Sequence, residues 1–322
     1  MLTVLMSTRN RAPILRKVLT SYISLQKPSQ GWKLVVVDNG STDETSEVLA
    51  SFKERLPLEI LSESNLGKNI ALNAGLSCVE GDLAVFTDDD VFPYADWLVR
   101  IREIANAQPQ FAIFGGAILP RWEIPPPAWL HWVTDPASDR AQFSDVRAGP
   151  VFTLTELSLE DGPISPNLVF GPNMVVRSCI FQSGARFNPN IGPRGSSYPM
   201  GSETELILRL HRQGHKAWYV KSAVVEHFIR KEQLDKAWVL QRAIRFGRGQ
   251  YRISPNPRQL LGVPRYLVRD VPKEIFKIAA ATVLFNPKAV FRAHWRLNYM
   301  LGQGAEAIAV AREHRNQAAY SI

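Results

Sequence analysis

Lys33-Leu34-Val35-Val36-Val37-Asp38-Asn39-Gly40-Ser41-Thr42-Asp43-Glu44 begins as an apolar, β-branched run and turns abruptly into loop formers. The strand ends at Asp38, and Ser41 with Glu44 has the Ser-x-x-Glu spacing of a capping box, so a helix is expected next. Upstream, Leu2 to Met6 reads as a buried strand, and Pro13 opens a helix in which Ile14, Leu15, Val18, Leu19, Tyr22 and Ile23 recur at helical spacing. Downstream the order repeats, with Leu58 to Leu61 as strand, Lys68 to Val79 as helix, Leu83 to Thr87 as strand and Ala95 to Ala107 as helix. This alternation predicts an α/β fold, a Rossmann-like, mostly parallel sheet flanked by helices.

From Pro120 to Pro166 the pattern gives way to a Pro- and Trp-rich excursion whose length suggests a functional loop or lid. Regular order resumes at Leu168 to Arg177, a strand-like run interrupted by Gly171-Pro172-Asn173. A helix is expected from Ser202 to Gln213, closed by Gly214, and a strand over Ala217 to Glu226 ending at His227. Two cysteines, Cys78 and Cys179, are too few for a disulfide framework, read as small buried apolar residues and point to a reducing compartment.

In parallel sheets ligands bind beyond the carboxyl ends of the strands. Thr8 to Arg11, Asp38, Asn65 to Lys68 and Asp88-Asp89-Asp90 all fall at such ends. Three adjacent carboxylates are costly unless a cation sits among them, and hard oxygen ligands suit Mg²⁺ or Mn²⁺. Alternation along an extended chain would put Asp88 and Asp90 on one face with Asp89 pointing away.

Jointly these pieces resemble the inverting glycosyltransferases of family 2, with the nucleotide-sugar fold called GT-A. The resemblance runs from Leu2 to His227 and rests on Ser7-Thr8-Arg9-Asn10-Arg11, Val36 to Asp43, Asn65-Leu66-Gly67-Lys68 with Asn73-Ala74-Gly75, the Asp88 to Asp90 cluster, Gly171-Pro172-Asn173-Met174 and Gly201-Ser202-Glu203-Thr204-Glu205-Leu206. It implies a metal-dependent, inverting transfer of a sugar from a nucleotide-diphosphate sugar (UDP, GDP or dTDP) to an acceptor hydroxyl, in polysaccharide or glycolipid assembly. Thr8, Asn10, Arg11, Asp38, Asn65, Lys68, Asn73, Asp88 and Asp89 would border the donor, and Asp90, joined by His227, would hold Mn²⁺ or Mg²⁺. Glu203 would be the general base, ahead of Glu205, although Ser202 stands where relatives carry an acid. Gly171, Asn173 and a tryptophan face, Trp129 or Trp132, would lie beside a glycan or lipid-linked acceptor. The implied division is a catalytic domain over 1–228, split at 118 into donor and acceptor halves, and a helical, basic extension over 229–322.

Other functions that use such a crevice fit less well. A nucleotidyltransferase or a dehydrogenase would want glycines in the loop after the first strand, and Ser7 to Arg11 has none. A non-catalytic nucleotide-sugar-binding module of the same fold would be expected to lose the aspartates or the base, and both are present. The net charge of +8 is concentrated between Arg230 and Met300, where fifteen Lys/Arg face four Asp/Glu. That excess suggests an anionic partner, a diphosphate or a membrane surface, and no nucleic-acid recognition motif accompanies it. Arg242, Arg245 and Arg248 share a helical stripe, while Ile275, Phe276, Ile278, Ala279, Val283 and Leu284 interleave with lysines and arginines as in a helix lying among head groups. The apolar start is too short for a signal peptide and runs such as Ile278 to Phe285 are too short to span a bilayer. A cytoplasmic protein, peripheral on the inner face of the plasma membrane, is the resulting expectation.

Overall fold

The computed structural model describes residues 1–132, 149–155, 160–195, 197–256, 258–260 and 262–319. Much of the expected Pro- and Trp-rich excursion, 133–148 and 156–159, therefore lies outside the described residues, as does the side chain of Trp132.

The first half alternates as the sequence predicts, except for the short β5, which is not expected from it: β1 (Leu2–Thr8), α1 (Ala12–Tyr22), β2 (Trp32–Asp38), α2 (Thr45–Ala50), β3 (Leu58–Ser62), α3 (Lys68–Gly75), β4 (Leu83–Phe86), β5 (Val91–Pro93) and α4 (Trp97–Ala107). The second half continues with β6 (Ile113–Trp122), α5 (Gly149–Phe152), β7 (Gly162–Ile164), β8 (Met174–Arg177), α6 (Cys179–Gln182), α7 (Ser202–Arg212) and β9 (Ala217–Ile229). A helical region closes the chain: α8 (Lys236–Ile253), the small hairpin β10 (Gln259–Leu260) and β11 (Val263–Pro264), α9 (Arg265–Val283) and α10 (Pro287–Ala319).

The sheet runs in the order β3-β2-β1-β4-β8-β6-β9-β5, with β7 on β9. It is parallel from β3 to β4 and mixed beyond, because β8 lies antiparallel between β4 and β6. Burial follows the two-residue period of the strands. Val4, Leu34, Val36 and Val85 enter a core shared with α1 and α4, while Leu5, Val35, Val37 and Phe86 enter the opposite core with α3 and α7.

Three local expectations change. Ser41 and Glu44 do not cap α2, which has no side-chain cap; instead Asp38 Oδ1 accepts from the Ser41 amide at 3.0 Å and Asp43 Oδ1 from that of Thr45 at 3.1 Å. Neither cysteine is buried: Cys179 is exposed and Cys78 half-buried, both as free thiols. The register of β6 on β9 slips between Gly116 and Ala117, paired with Val220 and Val224. Asn173 fills that irregularity, donating through Nδ2 to the carbonyls of Ala117 (2.9 Å) and Ala223 (2.8 Å) and accepting from Trp97 Nε1 (2.9 Å). A Cβ on Gly116 would stand 2.2 Å from that amide nitrogen, which explains glycine there.

Helix α8 is wedged between the sheet domain and α10. A Cβ at Gly247 would meet the Tyr299 carbonyl at 1.9 Å and one at Gly302 the Ile244 carbonyl at 2.1 Å, so glycines on both helices permit the close crossing. Glu306, fully buried on α10, receives Arg248 Nε at 2.5 Å and Arg252 Nε.

Candidate active site

A cleft of about 740 Å³ opens at the carboxyl ends of β1 and β4. The loop after β1 brings Thr8, Arg9 and Arg11 to it, the loop after β4 brings Asp88 to Asp90, and β9 brings His227. Asn39, just beyond β2, accepts from the Gly67 amide at 2.8 Å and donates to the carbonyls of Glu63 and Asn65, which fixes the approach to α3 and places Lys68 at the rim.

The three aspartates are not arranged by strand alternation. Regular strand stops at Phe86, and Asp89 and Asp90 lie in a turn, so Asp89 faces the same arginine as Asp90. Asp89 accepts from Thr8 Oγ1 at 2.7 Å and lies 3.6 Å from Arg11 Nε, while Asp90 lies 3.1 Å from Arg11 Nη2. Asp88 meets Lys68 Nζ at 2.5 Å. The like charge is thus already offset by side chains, so the crowding of carboxylates alone does not demand a metal. Burial raises the Asp89 carboxyl against the pull of Arg11. Burial opposes the charged form of Asp90 too, but His227 and Arg11 outweigh it and hold that carboxyl well down.

His227 Nε2 stands 3.5 Å from Asp90 Oδ1. Its Nδ1 lies 2.7 Å from the Phe152 carbonyl, which can only accept, so Nδ1 carries a proton and Nε2 is left to face the carboxylate. Burial lowers the imidazole's affinity for a second proton, and the facing Asp90 more than reverses that. Among the described residues no group of three or more His, Cys, Asp and Glu is set to hold a metal ion. The Asp90 and His227 pair fits instead an ion that completes its shell with phosphate and water, as Mg²⁺ and Mn²⁺ do, the imidazole being oriented from behind by a carbonyl.

Glu203, in the first turn of α7, reaches the cleft, where its Oε1 lies 2.7 Å from Lys68 Nζ. Lys68 therefore bridges Asp88 and Glu203, and although burial disfavours its charge, the two carboxylates push its pKa up. Glu205 turns away and pairs with Arg209 at 2.8 Å. Ser202, where an acid is expected, is buried, and a Cβ at Gly192 would stand 2.2 Å from its Oγ.

Several other expected contacts are not brought to the cleft. Both oxygens of Asp38 serve its own loop, one to the Ser41 amide and one to Ser46 Oγ at 3.0 Å. Asn10, with φ 52°, accepts from the Thr42 amide at 2.7 Å and pins one loop to the next. Asn65 is exposed, and Asn73 exchanges hydrogen bonds with the Phe187 backbone. Asn173 is the buried sheet bracket already described. Gly171 lies under Glu203: a Cβ there would be 2.6 Å from the Glu203 carboxyl. Trp129 packs on Phe291 of α10, centroids 5.4 Å apart, and offers no face to the cleft.

The opposite wall includes Arg242 and Arg245, which the sequence offers as a stripe for a diphosphate or head group, and adds Tyr198, Arg230 and Trp238, for which it offers no role. Tyr198, Arg230, Trp238, Arg242 and Arg245 line the cleft, so residues beyond 228 belong to the site and not to an appendage. Arg242 stacks over Trp238 and Phe246, and burial lowers its pKa to about 10. Its Nε and that of Arg230 are buried without a hydrogen-bond partner among the described residues. Arg248 leaves the stripe for Glu306. The alternation of aromatic and arginine along α8 was the available signal.

The model of the family "Glycosyl transferase family 2" matches residues 3–145. That stretch is similar to family 2 glycosyltransferases. It contains β1 to β6 and the aspartate cluster. Over nearly the whole chain it is similar to the succinoglycan biosynthesis protein ExoM of Rhizobium meliloti, 24% identical over 311 residues, 91% of this chain and 88% of that one. A glucosyl-dolichyl phosphate glucuronosyltransferase of Haloferax volcanii is 20% identical over 219 residues, 66% of this chain and 64% of its own length. Among solved structures, the mannosyltransferase PcManGT from Pyrobaculum calidifontis, in complex with GDP-Man and Mn²⁺, superposes with a TM-score of 0.57 at 19% identity, covering 97% of this chain and 74% of that one. This chain has the GT-A fold, a curled mixed sheet flanked by helices, with a helical C-terminal region.

Proposed function

We propose that this glycosyltransferase is metal-dependent and inverting, and that it moves a sugar from a nucleoside diphosphate to an acceptor hydroxyl in polysaccharide or glycolipid assembly. One observation carries the reading: a single cleft joins the Asp90 and His227 pair, the Glu203 carboxylate and a wall of arginines with unpaired buried donors. Asp90 and His227 would hold Mn²⁺ or Mg²⁺, which when bound neutralises the leaving diphosphate. Arg11, Arg242 and Arg245 supply further positive charge fixed in place before the bond breaks. Glu203 takes the proton of the acceptor hydroxyl as that oxygen attacks the anomeric carbon from the face opposite the diphosphate, and the configuration inverts in one displacement. Lys68, paired with Glu203 at 2.7 Å and lining the same cleft, would free the base by turning to the donor's phosphates.

The test is nucleoside diphosphate release from a panel of UDP-, GDP- and dTDP-sugars with Mn²⁺, Mg²⁺ or chelator. Turnover of one donor class with metal is expected, abolished by chelator and by Asp90→Asn, with product of opposite anomeric configuration by NMR. Full turnover in excess chelator would remove the metal from the reading, and retained configuration would remove the single displacement.

A further inference from the structure

The turn between α9 and α10 carries a surface that sugar transfer does not use. Val268, Ile275, Phe276 and Val283 are exposed and fall on one stripe of α9, and Leu284 and Phe285 extend it into the turn, exposed by 76% and 91%. The helix ends with the Phe285 amide donating to the Thr282 carbonyl and the Asn286 amide to that of Ala281, a pattern that places Phe285 in the left-handed region at φ 51°. Glycine ordinarily takes that position. An aromatic held there in water stabilises nothing within the chain.

Beside the turn, a groove of about 440 Å³ between α9 and α10 is lined by Lys277, Lys288, Arg292 and Arg296, with no acidic side chain among the described residues of its walls. Lys277 also reaches Glu274 at 2.5 Å. From Arg265 to Met300 seven Lys/Arg stand against two Asp/Glu. No helix among the described residues is long and apolar enough to cross a membrane, so an apolar stripe bordered by cations suits the boundary between head groups and acyl chains.

We propose that the α9–α10 turn docks on an anionic phospholipid bilayer, with Leu284 and Phe285 entering the acyl boundary and the four-cation groove receiving lipid phosphate. Phe285 also lines an opening with Lys236 and Leu240 of α8, the helix whose Arg242 and Arg245 face the cleft, so docking would set the active site beside the lipid surface.

Flotation of the full chain with phosphatidylcholine vesicles, with and without phosphatidylglycerol, provides the test. Binding is expected only with the anionic lipid and should weaken with salt. Leu284→Ser with Phe285→Ser should abolish it, and Lys277→Gln with Lys288→Gln should weaken it about tenfold or more, each cation contributing a few-fold. These side chains are on the surface, so the thermal midpoint serves as a control for folding. Equal binding to neutral vesicles, or binding that survives the serine variant, overturns the proposal. Self-association lost in the serine variant without vesicle binding would assign the face to a second copy and overturn it too.

Discussion

Glu203 and Glu205 are two residues apart, and the fold gives them different partners: Lys68 at the cleft for one, Arg209 away from it for the other. Glu203→Gln should lower kcat by about 10²-fold or more with the donor KM little changed, and Glu205→Gln should lose less than a tenth of that effect, on the order of tenfold at most, in steady-state kinetics. Gly171→Ala is the subtler probe, because its Cβ would stand 2.6 Å from the Glu203 carboxyl. Displacing Glu203, the proposed base, should cut kcat by about tenfold or more while Mn²⁺ binding, measured by calorimetry, is unchanged. The aspartate cluster was legible in the sequence because three adjacent charges are conspicuous. Arg11, Lys68 and His227 were also named from the sequence, as donor and metal contacts, but the pairing of Arg11 and Lys68 with the aspartates was not legible, because they are distant along the chain and only folding sets them against Asp88 to Asp90. Asn173, which the resemblance put beside the acceptor, has its amide nitrogen engaged by the irregularity in the neighbouring strand pair, a long-range contact that no local sequence records.

Among elements, strands and helices of the first half could be read from apolar runs and periodicity, since β1, β2 and β4 are covered on both faces and the helices bury one stripe. The antiparallel β8 could not, because nothing local to Met174–Arg177 records its direction. Nor could the crossing of α8 with α10, which depends on Gly247 meeting Tyr299 and Gly302 meeting Ile244. Gly302→Ala forces those backbones apart and should destabilise the protein by about 1–3 kcal/mol in denaturant unfolding. Since α8 carries Trp238, Arg242 and Arg245, donor affinity should fall as well. A variant that melts early yet binds donor normally would separate the helix pair from the cleft.

Across the whole molecule, the basic excess of the C-terminal third divides into parts that composition could not separate. Arg242 and Arg245 face the cleft, Arg248 and Arg252 meet buried Glu306, and Lys277 and Lys288 border the groove at the α9–α10 turn. The cleft therefore depends on a helix that α10 holds in place. Deleting the chain from Gly302 onward should abolish donor binding while leaving the parallel half of the sheet folded, with circular dichroism and calorimetry as the two measurements. The same clamp has a temporal side. As the polypeptide leaves the ribosome, β1 to β4 can pair early, but the arginine wall gains its brace only after Glu306 has emerged, so a product interrupted before that residue remains inert.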